Sequence, residues 1–271
     1  MPLRPTLESP TRAYVVAARA LVDAFADEPF DPSMPRCPHC VTDHDVAGLA
    51  GPTVTVDPEV VARFVLKAGT TWGAPSDLRR LTPRVLLLSA DRILAVDRAV
   101  VWDKLVWAGW PTWAPIQRVA VERLLLAEWD RLVQSPPRPG GTAHRWLAAT
   151  ARSGGDLRPY LERWGEAIGP LADPAGQANA VLHLVRLLVQ SDLRPDHPRS
   201  VNDLFKTSTS ADAAAGAVTL SHWLASATTA HGLERAAQGF VGTVDARRVE
   251  LAVDRLRRFR AATTRASLAP A

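Results

Sequence analysis

The chain has 271 residues, of which 47% are hydrophobic and 22% are charged, so it holds enough apolar material for one large or two small cores and is not disordered throughout. Its formal net charge of +4 is too modest for a dedicated nucleic-acid binder. The chain has two cysteines and no apolar run long enough to cross a membrane, and its first residues lack an apolar signal core. We therefore expect a cytoplasmic protein without membrane segments.

Apolar residues three and four positions apart predict helices along most of the chain. Ser9-Pro10, Asp57-Pro58 and Asp97 are clear helix starts, because each supplies a capping side chain. Separate short helices are predicted from Ser76 and from Thr82-Pro83, and the longest helix from Pro115 to Ser135. Further predicted helices cover residues 142–153, 156–168, 173–191, 200–206, 211–230 and 244–262, with a frayed tail after Thr263.

These elements predict an all-α fold, either an antiparallel helical bundle or a short, irregular, HEAT-like α-solenoid. The only alternating segment, 53–56, is too short to form a sheet on its own. We expect a single helical domain over residues 1–271. The alternative is a division into 1–135 and 142–271 at the Pro/Gly-rich turn of residues 136–141.

The sharpest local motif is Cys37-Pro38-His39-Cys40, in which a turn aims two thiols at one point. Two such thiolates can chelate zinc, and His44 is the candidate third ligand. The motif supplies only half of a structural zinc signature, because the chain has no second pair of cysteines. The same tetrapeptide occurs in thioredoxin-fold disulfide oxidoreductases, but no βαβ pattern surrounds it here. Packing of two partly buried thiols in a proline-rich loop is the third interpretation.

Four of the nine tryptophans lie within twelve residues, from Trp102 to Trp113. Such a cluster either fills a hydrophobic corner between helices, which we favour, or lines a groove for a ligand. Lys104, Trp107 and Trp110 are the candidate ligand residues of this cluster. The other tryptophans, on predicted helix faces, are expected in the core.

The last helix carries many arginines around an apolar stripe. They are expected to form a solvated face with local acidic pairs, and contact with nucleic-acid phosphates is the alternative. The candidate phosphate-binding residues are Arg247, Arg248, Arg255, Arg257 and Arg258.

Several short segments resemble a family of bacterial all-helical proteins that has no established activity. The shared elements are residues 37–41 (CPHCV), 67–73 (KAGTTWG), 82–84 (TPR), 104–105 (KL) and 108–110 (AGW). The resemblance implies that the cysteine motif, the 67–73 segment and the tryptophan cluster belong to one surface. The candidate ligand surface is then formed by His39, Lys67, Thr71, Trp72, Lys104, Trp107 and Trp110. It covers less than half of the chain.

No hydrolase elbow, phosphate-binding loop, zinc-protease helix or calcium loop is present in the sequence. The leading functional hypothesis is therefore a non-catalytic binding or scaffold protein for another protein or a peptide, either with or without a zinc-pinned cysteine loop. The alternatives are a metal- or thiol-dependent enzyme centred on Cys37, His39, Cys40 and His44, and a nucleic-acid-binding protein.

Overall fold

A computed structural model describes residues 9–138, 143–152, 154–190, 193–197, 201, 204 and 211–268. The described residues contain twelve α-helices and no β-strand, which confirms the all-α prediction. The arrangement as a bundle or a solenoid stays a prediction. None of the described helices has both the length and the apolar character that crossing a membrane requires.

The helices of the first half are α1 (Pro10–Ala24), α2 (Asp43–Ala47), α3 (Pro58–Lys67), α4 (Pro75–Ala90), α5 (Arg98–Trp107) and α6 (Pro115–Gln134). Those of the second half are α7 (Ala143–Arg152), α8 (Arg158–Ala167), α9 (Pro174–Gln190), α10 (Ala211–Ala225), α11 (Ala227–Ala237) and α12 (Ala246–Leu268). The predicted helix at 200–206 lies largely outside the described residues.

The chain divides into two compact units, Met1–Glu128 and Trp129–Ala271, and the division falls within α6. The predicted break at residues 136–141 is a separate position, and residues 139–142 are outside the described part of the chain. In the first unit α4 is central, because α1, α3 and α5 all pack against it. In the second unit α12 packs against α9, α10 and α11.

The predicted helix starts at Ser9, Asp57 and Asp97 are confirmed. Each side chain accepts a hydrogen bond from a backbone N–H of the first turn, including Asp57 from Glu59 at 2.8 Å and Asp97 from Ala99 at 2.8 Å. These bonds satisfy donors that have no partner inside the helix. The capping side chains at these three positions therefore mark real helix starts.

The prediction of two short helices at Ser76 and Thr82-Pro83 is wrong, because α4 runs unbroken through Pro83. A proline inside a helix costs about 3 kcal/mol. Leu78, Leu81 and Val85 are each at most 1% exposed. Burial of such a side chain contributes about 1.5–3 kcal/mol, so keeping all three on one continuous face outweighs the cost of the proline.

Two boundaries in the second unit also differ from the prediction. The predicted helix 211–230 is interrupted at Ser226, whose hydroxyl accepts from the Thr229 N–H at 3.2 Å and caps the start of α11. The helix predicted to end near residue 262 continues to Leu268. Its predicted apolar stripe is confirmed, since Val249, Leu256 and Phe259 are buried.

Most of the widely spaced tryptophans lie in the core, as predicted. In the second unit Trp129 and Trp164 are fully buried, and Trp164 stacks on the half-buried Trp223 at a centroid distance of 5.0 Å and 24° between planes. Both buried indoles donate to main-chain carbonyls, Trp129 to Tyr160 at 2.7 Å and Trp164 to Ala180 at 3.0 Å. These bonds remove the cost of burying the indole N–H groups.

Candidate functional site

The cysteine loop, defined as residues 35–41, is joined to the 67–73 segment by backbone hydrogen bonds. The Cys37 N–H donates to the Thr71 carbonyl at 2.9 Å, and the Gly73 N–H donates to the Pro35 carbonyl at 2.7 Å. Arg36 and Trp72 form the isolated bridge between these bonds. The cysteine loop and the 67–73 segment, which are distant in the sequence, are thereby held in register.

Buried side chains anchor both ends of the loop. Met34 and Val41 are 2% and 1% exposed, and the Trp72 indole N–H contacts the Met34 sulfur at 3.2 Å. Trp72 itself packs edge-on against Phe64 with centroids 5.4 Å apart. The polar residues between the anchors are consequently presented at the surface of a fixed backbone.

Cys37 and Cys40 lie on one tight turn ahead of α2. The N–H groups of Cys40 and Val41 both donate to the Cys37 carbonyl at 3.0 Å. A bond from residue i+3 to residue i closes a turn whose end Cα atoms are within about 7 Å. Both thiols are free, with Cys37 half-buried and Cys40 exposed. The turn therefore brings two accessible sulfurs side by side.

The surroundings separate the acidities of the two thiols. The pKa of Cys37 lies below its usual range, because its sulfur accepts a hydrogen bond from the His39 N–H, and then from the Cys40 side chain and N–H, near the Lys67 ammonium. The pKa of Cys40 is raised by its hydrogen bond to Cys37 and by the charge of Cys37. The first cysteine is consequently the more readily ionised.

Lys67 and Lys104 each reach a main-chain carbonyl at the cysteine loop or beside it. Lys67, the last residue of α3, donates from Nζ to the Cys40 carbonyl at 2.5 Å. Lys104, on α5, donates from Nζ to the Ala68 carbonyl at 2.6 Å. Two of the predicted ligand-surface residues thus bind the backbone of the loop and of the adjoining segment.

The other members of the predicted ligand surface divide into exposed and buried groups. His39 is exposed, while Thr71 and Trp107 are half-exposed. Trp72 and Trp110 are 1% and 7% exposed, so both fill the interior. Trp102 and Trp113 are also buried, in agreement with the favoured interpretation of the tryptophan cluster as a hydrophobic corner.

Among the described residues, no group of three or more His, Cys, Asp or Glu side chains is arranged to hold a metal ion. His44 is exposed on α2 and does not complete such a group with Cys37 and Cys40. The neighbouring acidic residues have other partners, since Asp43 pairs with Arg36, and Asp45 pairs with Arg63 at 2.8 Å. Zinc binding by Cys37, Cys40 and His44 stays a prediction.

The arginines of α12 make contacts within their own unit. Arg255 donates to the Leu188 carbonyl at 2.7 Å. Arg248 lies 3.4 Å from Asp245, Arg257 lies 2.8 Å from Glu234 and Arg258 lies 2.9 Å from Asp254. Arg247 is exposed. These pairs fit the expected solvated face, and nucleic-acid binding stays a prediction.

The sequence identified the side chains of the site but not the acceptors that position them. The carbonyls of Pro35, Cys40, Ala68 and Thr71 hold the loop and both lysines. A carbonyl is common to every residue type, so no sequence pattern could have revealed these partners.

No protein-family model, curated protein or solved structure matches the chain at a significant level.

Proposed function

We propose that Cys37 and Cys40 form a reversible dithiol–disulfide site at which the protein exchanges electrons with a partner disulfide. The supporting observation is the closed turn in which the Cys40 N–H donates to the Cys37 carbonyl at 3.0 Å, with both thiols free. A turn of this kind holds the Cα atoms of Cys37 and Cys40 within about 7 Å of each other, which is compatible with the range of about 4.4–6.8 Å that a disulfide requires. Oxidation of the pair therefore needs little movement of the backbone.

In the thioredoxin fold, a helix start activates the first cysteine of such a pair. The sequence of this protein lacks the thioredoxin-like pattern, so the activation must have another origin. In this protein the same effect has a local origin. The pKa of Cys37 is lowered chiefly by the His39 N–H, with smaller contributions from Cys40 and Lys67. A proline-rich turn fixed by the 67–73 segment takes over the role of the helix.

The proposed reaction is thiol–disulfide exchange in two displacements. The Cys37 thiolate attacks one sulfur of the partner disulfide, which breaks that S–S bond and releases one partner thiolate to take a proton from water. The Cys40 thiol then loses its proton to solvent and attacks the Cys37 sulfur, releasing the second partner thiolate. The pair is oxidised by two electrons, and the partner disulfide is reduced to two thiols.

The decisive experiment traps the intermediate with matched variants. Reduced Cys40→Ser and Cys37→Ser proteins are treated with a disulfide, and intact masses are recorded over time. We expect Cys40→Ser to accumulate a mixed disulfide at Cys37, Cys37→Ser to react more slowly, and wild-type protein to lose two mass units as its own disulfide closes. Failure of the wild-type pair to close, or faster trapping by Cys37→Ser, would contradict the proposal.

Metal content is measured on the same wild-type sample. One equivalent of tightly bound zinc that blocks both thiols would instead support the zinc prediction, because thiolates bound to zinc are its ligands rather than free nucleophiles. Binding of another protein or a peptide by a non-catalytic helical scaffold also stays a prediction. It is compatible with a dithiol site, since the partner disulfide can belong to a protein.

A further inference from the structure

Lys67 and Lys104 differ from almost every other cation of the chain. Of the 32 basic residues, only Lys67, Lys104 and Lys206 are lysines. Two of these three therefore lie at the 67–73 segment, where each binds a main-chain carbonyl. The ion pairs described in the first unit all use arginine, and neither Lys67 nor Lys104 takes part in one.

An ammonium group has three donors and a full positive charge. Each of these two ammoniums has one hydrogen bond, to an uncharged carbonyl, in the described part of the chain. Among the described residues neither charge has a carboxylate partner, and both side chains are partly accessible to solvent. This is the condition in which lysines attract an anion from solution.

Lys67 lies at the dithiol turn, and Lys104 lies at the 67–73 segment to which the cysteine loop is bonded. Lys67 is bound to the carbonyl of Cys40 itself and lies close enough to Cys37 to stabilise its thiolate. Lys104 is bound to Ala68, the residue that follows Lys67. Trp107 follows Lys104 by three residues on α5. Its half-exposed ring lies against Gly69 and adds an apolar patch to the same surface.

The two carboxylates that follow the cysteine loop have arginine partners. Asp43 pairs with Arg36, and Asp45 pairs with Arg63. A negatively charged group that approaches Cys37 is expected to meet attraction from Lys67, and one that extends along the 67–73 segment from Lys104 as well.

We propose that Lys67 and Lys104 select, as the partner of the dithiol, a disulfide whose neighbouring groups are carboxylates. This inference rests on the proposed thiol–disulfide exchange and names its substrate class. The lysines bind the carboxylates while the disulfide sulfur meets Cys37. A small organic disulfide and a peptide disulfide with flanking glutamates offer the same chemistry, so both are tested.

The test compares disulfides of similar size and different charge on the reduced wild-type protein. 3,3′-Dithiodipropionate is dianionic, bis(2-hydroxyethyl) disulfide is neutral and cystamine is dicationic. Each oxidation rate is divided by the rate of dithiothreitol with the same reagent, because the leaving thiols differ in intrinsic reactivity. We expect the normalised rates to fall in the order anionic, neutral, cationic, with about a fivefold step, the effect of one close unit-charge attraction in water.

Salt and matched variants assign the selectivity to the lysines. Added salt is expected to shrink the ratio of anionic to neutral rates, because it screens exposed charges. Lys104→Gln is expected to lower that ratio to about half or less, because it removes one of the two proposed carboxylate-binding charges. Lys104→Arg, which keeps the charge, should restore selectivity. Arg145→Gln, an equal change of charge at an exposed site of the second unit, should leave the ratio unaltered.

The outcomes separate the two proposals. Equal normalised rates among the three reagents together with equal rates for the two peptides, or a ratio unchanged in Lys104→Gln, overturn the lysine inference while leaving the dithiol function intact. Closure of the pair by none of the reagents overturns both. A peptide disulfide flanked by glutamates is compared with its glutamine counterpart in the same way. A charge preference among peptides alone identifies a protein partner, and one among the small reagents identifies a small-molecule partner.

Discussion

The backbone of Gly69 lies directly against the indole of Trp107. Gly69 has φ of +75°, and a Cβ placed on it would lie 2.8 Å from Cε2 of the ring. This contact fixes the path of the 67–73 segment, which also contains Lys67 and Thr71. It is also a position where glycine is required twice, once for the left-handed backbone and once for space.

Gly69→Ala is therefore expected to destabilise the protein by more than the backbone conformation alone. A side chain in the left-handed region costs about 1–2 kcal/mol, and displacing a packed ring adds about 1–3 kcal/mol. Gly51→Ala is the matched control, because Gly51 has φ of +79° with no atom within 4 Å of an added Cβ. Urea unfolding of both variants measures the difference, and equal losses would disprove the role of the Trp107 contact.

Alkylation of the two cysteines should depend differently on pH. The pKa of Cys37 is lowered chiefly by the His39 N–H, while the pKa of Cys40 is raised by Cys37. Because the thiolate is the reactive form, Cys37 should become reactive at lower pH than Cys40. Peptide mass spectrometry after brief iodoacetamide treatment resolves the two sites. Earlier modification of Cys40 with rising pH would contradict the described arrangement.

Asp130 should make the second unit more stable as the pH falls. Burial is the main cause that raises its pKa from 3.8 to about 6, and Arg163 on α8 opposes the shift only weakly from 4.0 Å. The folded state thus takes up a proton before the unfolded state does, so the contribution appears as pH falls through about 6 and is complete below about 4. The gain is about 2–3 kcal/mol. Asp130→Asn should abolish this gain in urea unfolding measured across that range, and an unchanged pH profile would refute it.

His183 should have the opposite effect. Burial is the main cause that lowers its pKa from 6.5 to about 4, and its ring Nε2 lies 3.1 Å from the Ser135 carbonyl. The unfolded state binds a proton first, so stability is present above about 6.5 and is lost as pH falls towards about 4. His183→Gln, which keeps an N–H donor, should remove this loss. Relative to wild type, the two variants should therefore diverge in opposite directions on acidification, and parallel curves would be inconsistent with both assignments.

Arg98 and Glu128 form a largely buried ion pair whose guanidinium donates from Nη1 to Oε2 at 2.9 Å, with the Glu128 side chain only 8% exposed. Removing Arg98 alone leaves an uncompensated buried charge, which costs about 3–5 kcal/mol. Arg98→Met is therefore expected to be strongly destabilising, and the Arg98→Met/Glu128→Leu double variant much less so. A double-mutant cycle of urea unfolding tests this, and additive losses would show that the pair is not coupled.

The sequence predicted the fold well where a side chain decides the structure by itself. The caps at Ser9, Asp57 and Asp97 and the apolar stripe of α12 follow from local chemistry. Pro83 is a different case, because the buried contacts of α4 determine whether the helix continues through it. The break at Ser226 shows the converse, since a serine in an apolar run is ambiguous until its cap forms.

The candidate site was only partly predictable for a related reason. The spacing of Cys37 and Cys40 and the position of Lys104 among the tryptophans identify these side chains, whereas Lys67 is implied by the resemblance. The burial of Trp72 and Trp110 depends on residues distant in the sequence, such as Phe64 beside Trp72. The local activation of Cys37 depends on where two N–H groups point, which a sequence does not record.

The reliance of both lysines on peptide oxygens affects how such a site changes over evolutionary time. Ala68 can be exchanged for many residue types without loss of the carbonyl oxygen to which Lys104 donates. Distantly related chains with the same backbone path can then place lysines beside a pair of cysteines even where few of their residues are identical. Relatedness of this kind is better detected by superposing loop structures than by aligning sequences.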